Sequence, residues 1–452
     1  MEKKAVRQAR DLTQGPLMPQ IVRFSLPLIF SNLLQVMFNM ADMAVVGRFA
    51  GPLALGSVGS TSTLTVLFTG ILIGMADGIN VLTAACFGAK DKRALGETVH
   101  SSAIINLLMG CVIMAAGLLL GRPILTLLNT KPELMDGAAL YLRIYCLGMP
   151  AVGLFNFGNA VFSAVGDTRR PLMYLSAAGI INVVLNLVFV IGFHMEAAGV
   201  AAATVISQCV SAVLVLRALL RSEEDYALRL ERLRLSRARS KVIMGIGLPA
   251  GIQYAIFSVA NLFVQAGVNS FDAATVAGNT AAARFDSLAF NVIAAFYTAC
   301  GSFIGQNYGA GKKERVLGSF WRCMILSCGL GAAMGIGVLA AGRQFLSLFT
   351  ADAAVVEAGL VRLRIIATAF VISPFMDGSI AAARGLGKTR GATVIVILSS
   401  CVFRIIWIYT VFVWVGTYSS LLMLYPVSWT ITGIAATWYF FRVYREAAAH
   451  ME

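Results

Sequence analysis

Residues 221–241 read RSEEDYALRLERLRLSRARSK and form the longest polar segment of a 452-residue chain. The sequence on either side of this segment repeats one plan. Shifted by 221 residues, Gly88-Ala89 meets Gly309-Ala310, each opening a basic loop, and ILTLLNT at 124–130 lies on FLSLFTA at 345–351. LYLRI at 140–144 lies on VRLRI at 361–365, which matches Arg143 with Arg364. Gly166-Asp167-Thr168-Arg169 lies on Gly387-Lys388-Thr389-Arg390, and Pro27 has a counterpart in Pro249, one residue out of step. Six spans on each side, in equal orientation, make a parallel repeat about an axis along the membrane normal.

Composition says why those spans are membrane spans. Hydrophobic residues make up 58% of the chain and charged residues 13%, and the mean hydropathy is +0.79. A soluble domain carries about 25% charged residues, so this chain cannot cover itself with a water-facing surface. Apolar runs such as 104–120, and 394–415 with Arg404 as its one charge, approach or reach the roughly 20 residues that cross a bilayer core as a helix. The alternating segments of an outer-membrane barrel are absent. The expected fold is an all-α integral membrane protein with twelve transmembrane helices in two pseudo-symmetric six-helix lobes. The N-terminal lobe is 1–220, the linker 221–241 and the C-terminal lobe 242–452. Spans are expected at 18–44, 53–80, 98–120, 137–160, 171–193, 198–220, 242–267, 273–303, 318–341, 356–380, 391–415 and 419–441. The mixed charges of the linker suit a partly helical segment along the anionic leaflet.

The net charge of +14 is distributed as topology. Segments 1–20, 88–96, 166–171, 217–241, 308–318, 384–391 and 442–452 together hold 25 Lys and Arg, whereas the opposite loops hold four, Arg48, Arg122, Lys131 and Arg343. This asymmetry places the first set in the cytoplasm, with both termini, in the cell (inner) membrane. It argues against a nucleic-acid partner. Residues 1–20 lack the compact apolar core of a cleaved signal, so the first span is expected to direct insertion. The eight cysteines stand singly in apolar segments and read as small packing residues rather than metal ligands or a disulfide framework.

Several function classes drop out. There is no GxxxxGK[ST] stretch, so a pump of this kind draws on an ion gradient and needs no cofactor. Only three histidines occur, His100, His194 and His450, with no HExxH and no paired catalytic carboxylates, which argues against an enzyme. No filter-like repeat supports a channel. Duplicated six-helix halves enclose a central cavity and rock about it, the design of a secondary transporter.

Carboxylates embedded in apolar helices are costly and so mark candidate sites. Four are present: Asp42, Asp77, Asp286 and Asp377. Asp42 follows Asn39 by three positions, on one helical face, late in the first span. Asn182 and Asn186 share a face of IINVVLNLVFVIG at 180–192, and Thr204 and Ser207 follow in the sixth span. Carboxamide and hydroxyl oxygens around the Asp42 carboxylate suit either a proton carrier or a Na⁺ cage, with Asp42, Asn182 and Thr204 as its ligands. The plainer readings are a hydrated carboxylate at the span's outer end and interhelical hydrogen bonds from the asparagines. Asp286, two residues after Arg284, is expected to pair within its helix or to line the cavity. Asp377, seven residues before Arg384, is expected in the cavity, and Asp77 at a hydrated gate or boundary. Gln35, Met40, Gln253 and Asn261 complete the expected cavity lining, with methionine and phenylalanine surface suited to an apolar cation.

The runs PLIFSNLLQVMFNMADMAVVGRFAGPLALGSVG at 27–59, FGAKDKRALGE at 87–97, GDTRRPLMYLSAAGIINVVLN at 166–186 and GQNYGAGKKER at 305–315 resemble the multidrug and toxic compound extrusion (MATE) family. The similarity extends over about residues 20–440. The resemblance implies two six-helix lobes and export of cationic amphiphiles by antiport with H⁺ or Na⁺. It lies closer to the DinF-type branch, whose cation site is formed by an Asp on span one, an Asn and an Asp on span five and a Thr on span six. Asp42, Asn182 and Thr204 match three of these, and Asn186 stands where that branch often has its Asp. The NorM-type branch uses a Glu on span seven. No acid lies between Pro249 and Phe271, and Phe257 stands at about that place. The expectation is therefore a monomeric multidrug exporter coupled through Asp42. The alternative is a flippase for a lipid-linked sugar or polysaccharide precursor, which would use arginines such as Arg143 and Arg364 facing each other across the cavity.

Overall fold

The computed structural model describes residues 10–347 and 350–451. Residues 1–9 of the expected cytoplasmic segment, and 348–349 within the repeated stretch 345–351, lie outside the described residues, as does 452. The N-terminal half holds α1 (Leu17–Val45), α2 (Gly51–Gly88), α3 (Lys92–Leu127), α4 (Pro132–Leu147), α5 (Met149–Ala164), α6 (Arg169–Gly192) and α7 (Glu196–Leu220). The C-terminal half holds α8 (Arg237–Val268), α9 (Ala273–Gly309), α10 (Lys313–Ser347), α11 (Ala353–Ala369), α12 (Ser373–Gly385), α13 (Thr389–Val415) and α14 (Tyr418–Ala448).

Nine helical stretches among the described residues are long and apolar enough to cross a bilayer, with α1 and α2 counted as one 72-residue run. That run doubles back. Leu12, just before α1, donates its amide to Gln306 Oε1 at 2.9 Å, and Gly88, at the end of α2, packs on the backbone of the same Gln306. The expected unbroken span 137–160 is instead two helices, α4 and α5, bent by 46°. The expected span 356–380 is likewise split into α11 and α12. The cause is local: Pro150 and Pro374 stand in the first turns of α5 and α12, where proline has no amide to donate and its ring collides with the preceding turn. With each broken pair taken as one crossing, α1–α14 make twelve.

The internal repeat is in register in three dimensions. α3 and α10 begin at Lys92 and Lys313, α4 and α11 at Pro132 and Ala353, and α5 and α12 end at Ala164 and Gly385, all 221 residues apart. Gly166 and Gly387, also matched, take φ of +84° and +76°. Each closes its helix: Asp167 N bonds Phe162 O and Lys388 N bonds Ala383 O, the left-handed termination that glycine permits without a Cβ penalty.

Between the halves, α2 lies along α8 and α9, and α1 packs on α9 and α6. Leu17, Ile21, Phe24 and Leu28 of α1 share a core with Phe303, Phe320 and Phe440 of the C-terminal half. Met451 joins that core beside Leu12, so both ends of the described chain lie at one end of the bundle. The segment between α7 and α8 is helical only over Leu230–Arg232. It is anchored to the N-terminal half. Tyr226 and Leu228 are buried there, and Arg229 N donates to His100 Nε2 at 3.0 Å. Of its apolar residues Tyr226, Ala227 and Leu228 are buried, whereas Leu230, Leu233 and Leu235 are exposed.

Candidate functional site

The polar residues of the N-terminal half converge at the far end from the termini. Asp42 lies in the last turn of α1, and its neighbours come from α6 and α7. Asn186 Nδ2 donates to Asp42 Oδ1 at 2.5 Å and to Asn182 Oδ1 at 3.2 Å. Thr204 Oγ1 donates to Asp42 Oδ2 at 3.3 Å and lies 3.4 Å from Asn182 Nδ2. The four side chains close a ring. Asn182 and Asn186 are buried, and Asn186 Oδ1 has no partner among the described residues. Asn182 and Asn186 share a face because they are four residues apart on α6. The ring borders a cavity of about 250 Å³ whose lining includes Gln35, Asn39, Asp42, Asn182, Thr204 and Gln208. Asn39 is exposed and sits on the cavity wall, outside the ring. Met40 lines neither this cavity nor the one described next. It is two residues from Asp42, a rotation of about 200° on a helix, and so faces away.

The C-terminal half holds a second cavity of about 340 Å³, lined by Phe257, Asn261, Asp286, Asp377, Arg404 and Trp429 among others. Arg362 Nη2 lies 2.7 Å from Asp286 Oδ2, and its Nη1 donates to Asn279 at 2.8 Å. The partner of Asp286 is therefore Arg362 of α11, not Arg284. Residues two apart on a helix point in nearly opposite directions, and Arg284 is exposed while Asp286 is buried. Arg404, wholly buried, donates to Asn261 Oδ1 at 3.0 Å between the rings of Phe257 and Tyr425, 4.5 and 5.0 Å from their centroids.

A third polar group joins the halves. Arg384 Nη1 lies 3.0 Å from Asp77 Oδ2 and contacts the Tyr297 hydroxyl, and Nη2 donates to Gln253 Oε1 at 2.9 Å. Asp77 is thus an interhelical partner that keeps 21% side-chain exposure, and Gln253 belongs to this junction instead of lining either cavity. The expected span ends at 380, which leaves Arg384 in the loop segment 384–391. α12 in fact continues to Gly385 and carries Arg384 into the protein. Asp377, seven residues before Arg384, lines the C-terminal cavity. Arg143 and Arg364 are both exposed.

The sequence pattern of the MatE family matches residues 27–188 and again 249–410. The chain belongs to the MatE family. The double match falls on the two halves of the internal repeat. The probable multidrug resistance protein YpnP of Bacillus subtilis (strain 168) is 29% identical over 315 residues, 68% of this chain and 69% of that one. The probable multidrug resistance protein NorM of Thermotoga maritima is 25% identical over 392 residues, 84% of this chain and 82% of that one. Among solved structures, a MATE protein in a straight conformation superposes with a TM-score of 0.91 at 22% identity, covering 98% of this chain and 99% of that one. This MatE member thus shares the fold of that protein along nearly its whole length. The multidrug descriptions of its relatives do not favour the lipid-linked-sugar flippase.

Proposed function

We propose that the protein exports cationic amphiphiles from the cytoplasm in exchange for an inward-moving H⁺ or Na⁺, by alternating access, and that Asp42 is the coupling group. The observation that carries this reading is the ring of Asp42, Asn182, Asn186 and Thr204 around one carboxylate. A single ionisable group, held by three neutral polar side chains from two other helices, changes charge when a proton or cation arrives. Oxygen donors suit Na⁺ as a hard cation, and the unpartnered Asn186 Oδ1 adds one to the Asp42 carboxylate, Asn182 and Thr204. A protonated Asp42 would instead donate to one of the same oxygens. An ion bound in one orientation of the halves and drug in the other is the differential affinity that coupling needs.

The rest of the reading follows. The units are 1–220, the linker 221–241 and 242–452, the termini lie in the cytoplasm of the cell (inner) membrane, and the monomer works without a cofactor. The end joined by α2, α8 and α9 is then the cytoplasmic gate. The DinF-type assignment has support from the C-terminal half: at Phe257, about where the NorM-type branch keeps its Glu, the ring carries the Arg404 guanidinium. A second cationic group there leaves the coupling carboxylate to Asp42. Gln35 and Asn39 line the N-terminal route to it, and Asn261, Asp286 and Asp377 face the C-terminal cavity.

The deciding experiment is ethidium efflux from proteoliposomes under an imposed pH gradient or an imposed Na⁺ gradient, for wild type and Asp42→Asn. Efflux driven by one gradient and lost in the variant supports the reading and names the ion. Efflux by Asp42→Asn equal to wild type would overturn it.

A further inference from the structure

The segment between α7 and α8 sorts its charges along the chain. Glu223, Glu224 and Asp225 come first, and Asp225 pairs with Lys92 at 3.2 Å. Residues 229–241 then read RLERLRLSRARSK, six basic residues against Glu231 alone. Of the six, Arg239 reaches Glu97 at 3.8 Å, while Arg232, Arg234, Arg237 and Lys241 make no ion pair among the described residues.

Leucines are set between these cations. Leu230, Leu233 and Leu235 are 65%, 36% and 52% exposed. They share a side for a local reason. Arg232 N bonds Arg229 O and Leu233 N bonds Leu230 O, which closes a 3₁₀ turn over Leu230–Arg232. Residues three apart eclipse in such a turn, so Leu230 stands over Leu233 and Arg229 over Arg232. Leu233 itself is extended, and alternation then sends Arg234 to the opposite side and returns Leu235 to that of Leu233.

The height of the segment in the bundle follows from what holds it. Arg229 N donates to His100 Nε2 at 3.0 Å, and Ser236 N donates to Ser101 Oγ at 3.0 Å. The apolar run of α3 begins at Ile104, which is about 5 Å further along the axis at about 1.5 Å per residue. The headgroup layer outside each face of the hydrocarbon core is about 5–7 Å deep. Both ends of 229–235 are therefore fixed at headgroup depth, with the exposed leucines beside the acyl boundary. Single apolar residues on a surface are ordinary. Three on one side, interleaved with unpaired cations, make a surface that anionic phospholipid complements in both respects. A soluble partner would have to reach the same leucines through the headgroup layer.

Resting on the cytoplasmic placement of this end in the reading above, we propose that residues 229–241 are a receptor for anionic phospholipid of the cytoplasmic leaflet. Leu230, Leu233 and Leu235 enter the acyl boundary, and Arg232, Arg234, Arg237 and Lys241 hold headgroup phosphates. The same segment joins the two halves, so the leaflet anchors the joint between them.

Amide hydrogen exchange, read by mass spectrometry on the full chain in nanodiscs, tests this. The bilayers are phosphatidylcholine alone or an equimolar mixture of phosphatidylcholine and phosphatidylglycerol. Residues 229–235 are expected to exchange at least about fivefold more slowly in the mixture, the worth of one basic side chain's attraction to an anionic surface. Added salt should shrink the difference. Arg232→Gln with Arg234→Gln should abolish the effect of phosphatidylglycerol, and Leu233→Ser with Leu235→Ser should speed exchange in both bilayers. All four residues are exposed, so these variants keep the fold, and unchanged exchange in α3 and α8 checks that. Equal rates in the two bilayers overturn the proposal and leave the leucines to a protein partner. Slowing by phosphatidylglycerol that survives the arginine changes overturns it as well. The measurement needs neither gradient nor substrate, so a failure of ethidium export would strike the export reading and leave this result standing.

Discussion

Gly74 of α2 and Gly251 of α8 meet backbone to backbone: a Cβ placed on Gly74 would lie 2.2 Å from the Gly251 amide nitrogen. A turn further along, Gly78 meets Gly247 in the same way, with 2.7 Å from an added Cβ to the Gly247 nitrogen. The two halves of the repeat thus touch through glycines where no side chain fits, and small residues of this kind let membrane helices approach closely.

Gly74→Leu is expected to force α2 and α8 apart. Overpacking of a filled contact costs about 1–3 kcal/mol, and here the obstacle is backbone, which yields little. Thermal unfolding in detergent should shift down and ethidium efflux should fall by tenfold or more. Gly59→Ala, with nothing within 4 Å of the added methyl, is the matched control and should leave both unchanged.

The Asp77–Arg384 pair ties α2 to α12 across the halves. Asp77→Asn leaves a guanidinium of 2% side-chain exposure facing a neutral amide. Breaking a fully buried pair costs about 3–5 kcal/mol; here the figure should fall near or below the lower end, because the Asp77 side chain keeps 21% exposure. A lower melting temperature in detergent is the expected result. The double variant Asp77→Asn with Arg384→Met should recover part of the loss, since it removes the stranded charge. No recovery would mean that Arg384 acts mainly through Gln253 and Tyr297.

Asn186→Asp places a second carboxylate against Asp42, in the arrangement the DinF-type branch often has. Two anions at this spacing repel unless a cation lies between them. Ethidium efflux by the variant is expected to gain dependence on external Na⁺ or on lower pH relative to wild type. An unchanged ion profile would separate Asn186 from the coupling site.

Residues 10–15 form a strap over the end of the bundle that carries the termini. Arg10 N bonds Val165 O, Leu12 N donates to Gln306 Oε1 at 2.9 Å, and Lys312 Nζ donates to Thr13 O at 2.8 Å. The strap therefore links both halves. Burial opposes ionisation of Asp11, but hydrogen bonds from the Thr13 hydroxyl and amide, with the charges of Lys312 and Lys90, outweigh it and hold the carboxyl below the ordinary 3.8. A lowered carboxyl contributes stability above its ordinary range and loses it as pH falls through the lowered value. Limited proteolysis within residues 10–15 should accelerate as pH drops below about 4, and Asp11→Asn should show the fast rate already at neutral pH. Asp11 is largely exposed, so the effect is local loosening rather than global unfolding.

The helical crossings, their number and their duplication were legible along the chain, because each rests on local properties. An apolar run of sufficient length must satisfy its own backbone inside a bilayer and so becomes a helix. The matched glycines at 166 and 387 end helices in the same way wherever they stand, since the left-handed turn concerns only a few residues. The grouping of Asp42 with Asn182, Asn186 and Thr204 was also readable, through the i, i+4 spacing on α6 and the resemblance to the family.

The pairing of the arginines was not. Asp286 had a nearer cation in sequence in Arg284, and Asp377 shared a face with Arg384, yet the partners are Arg362 for Asp286 and Asp77 for Arg384. Spacing along one helix tells which residues share a face, and it is silent on which neighbouring helix that face meets. Which buried charges meet follows from the rotation of each helix about its axis and from the close approach at Gly74 and Gly251, both of which come from packing between segments distant in sequence. The surroundings of Arg404 are a product of the same packing: Phe257 and Asn261 of α8 and Tyr425 of α14 meet its guanidinium from two distant parts of the chain.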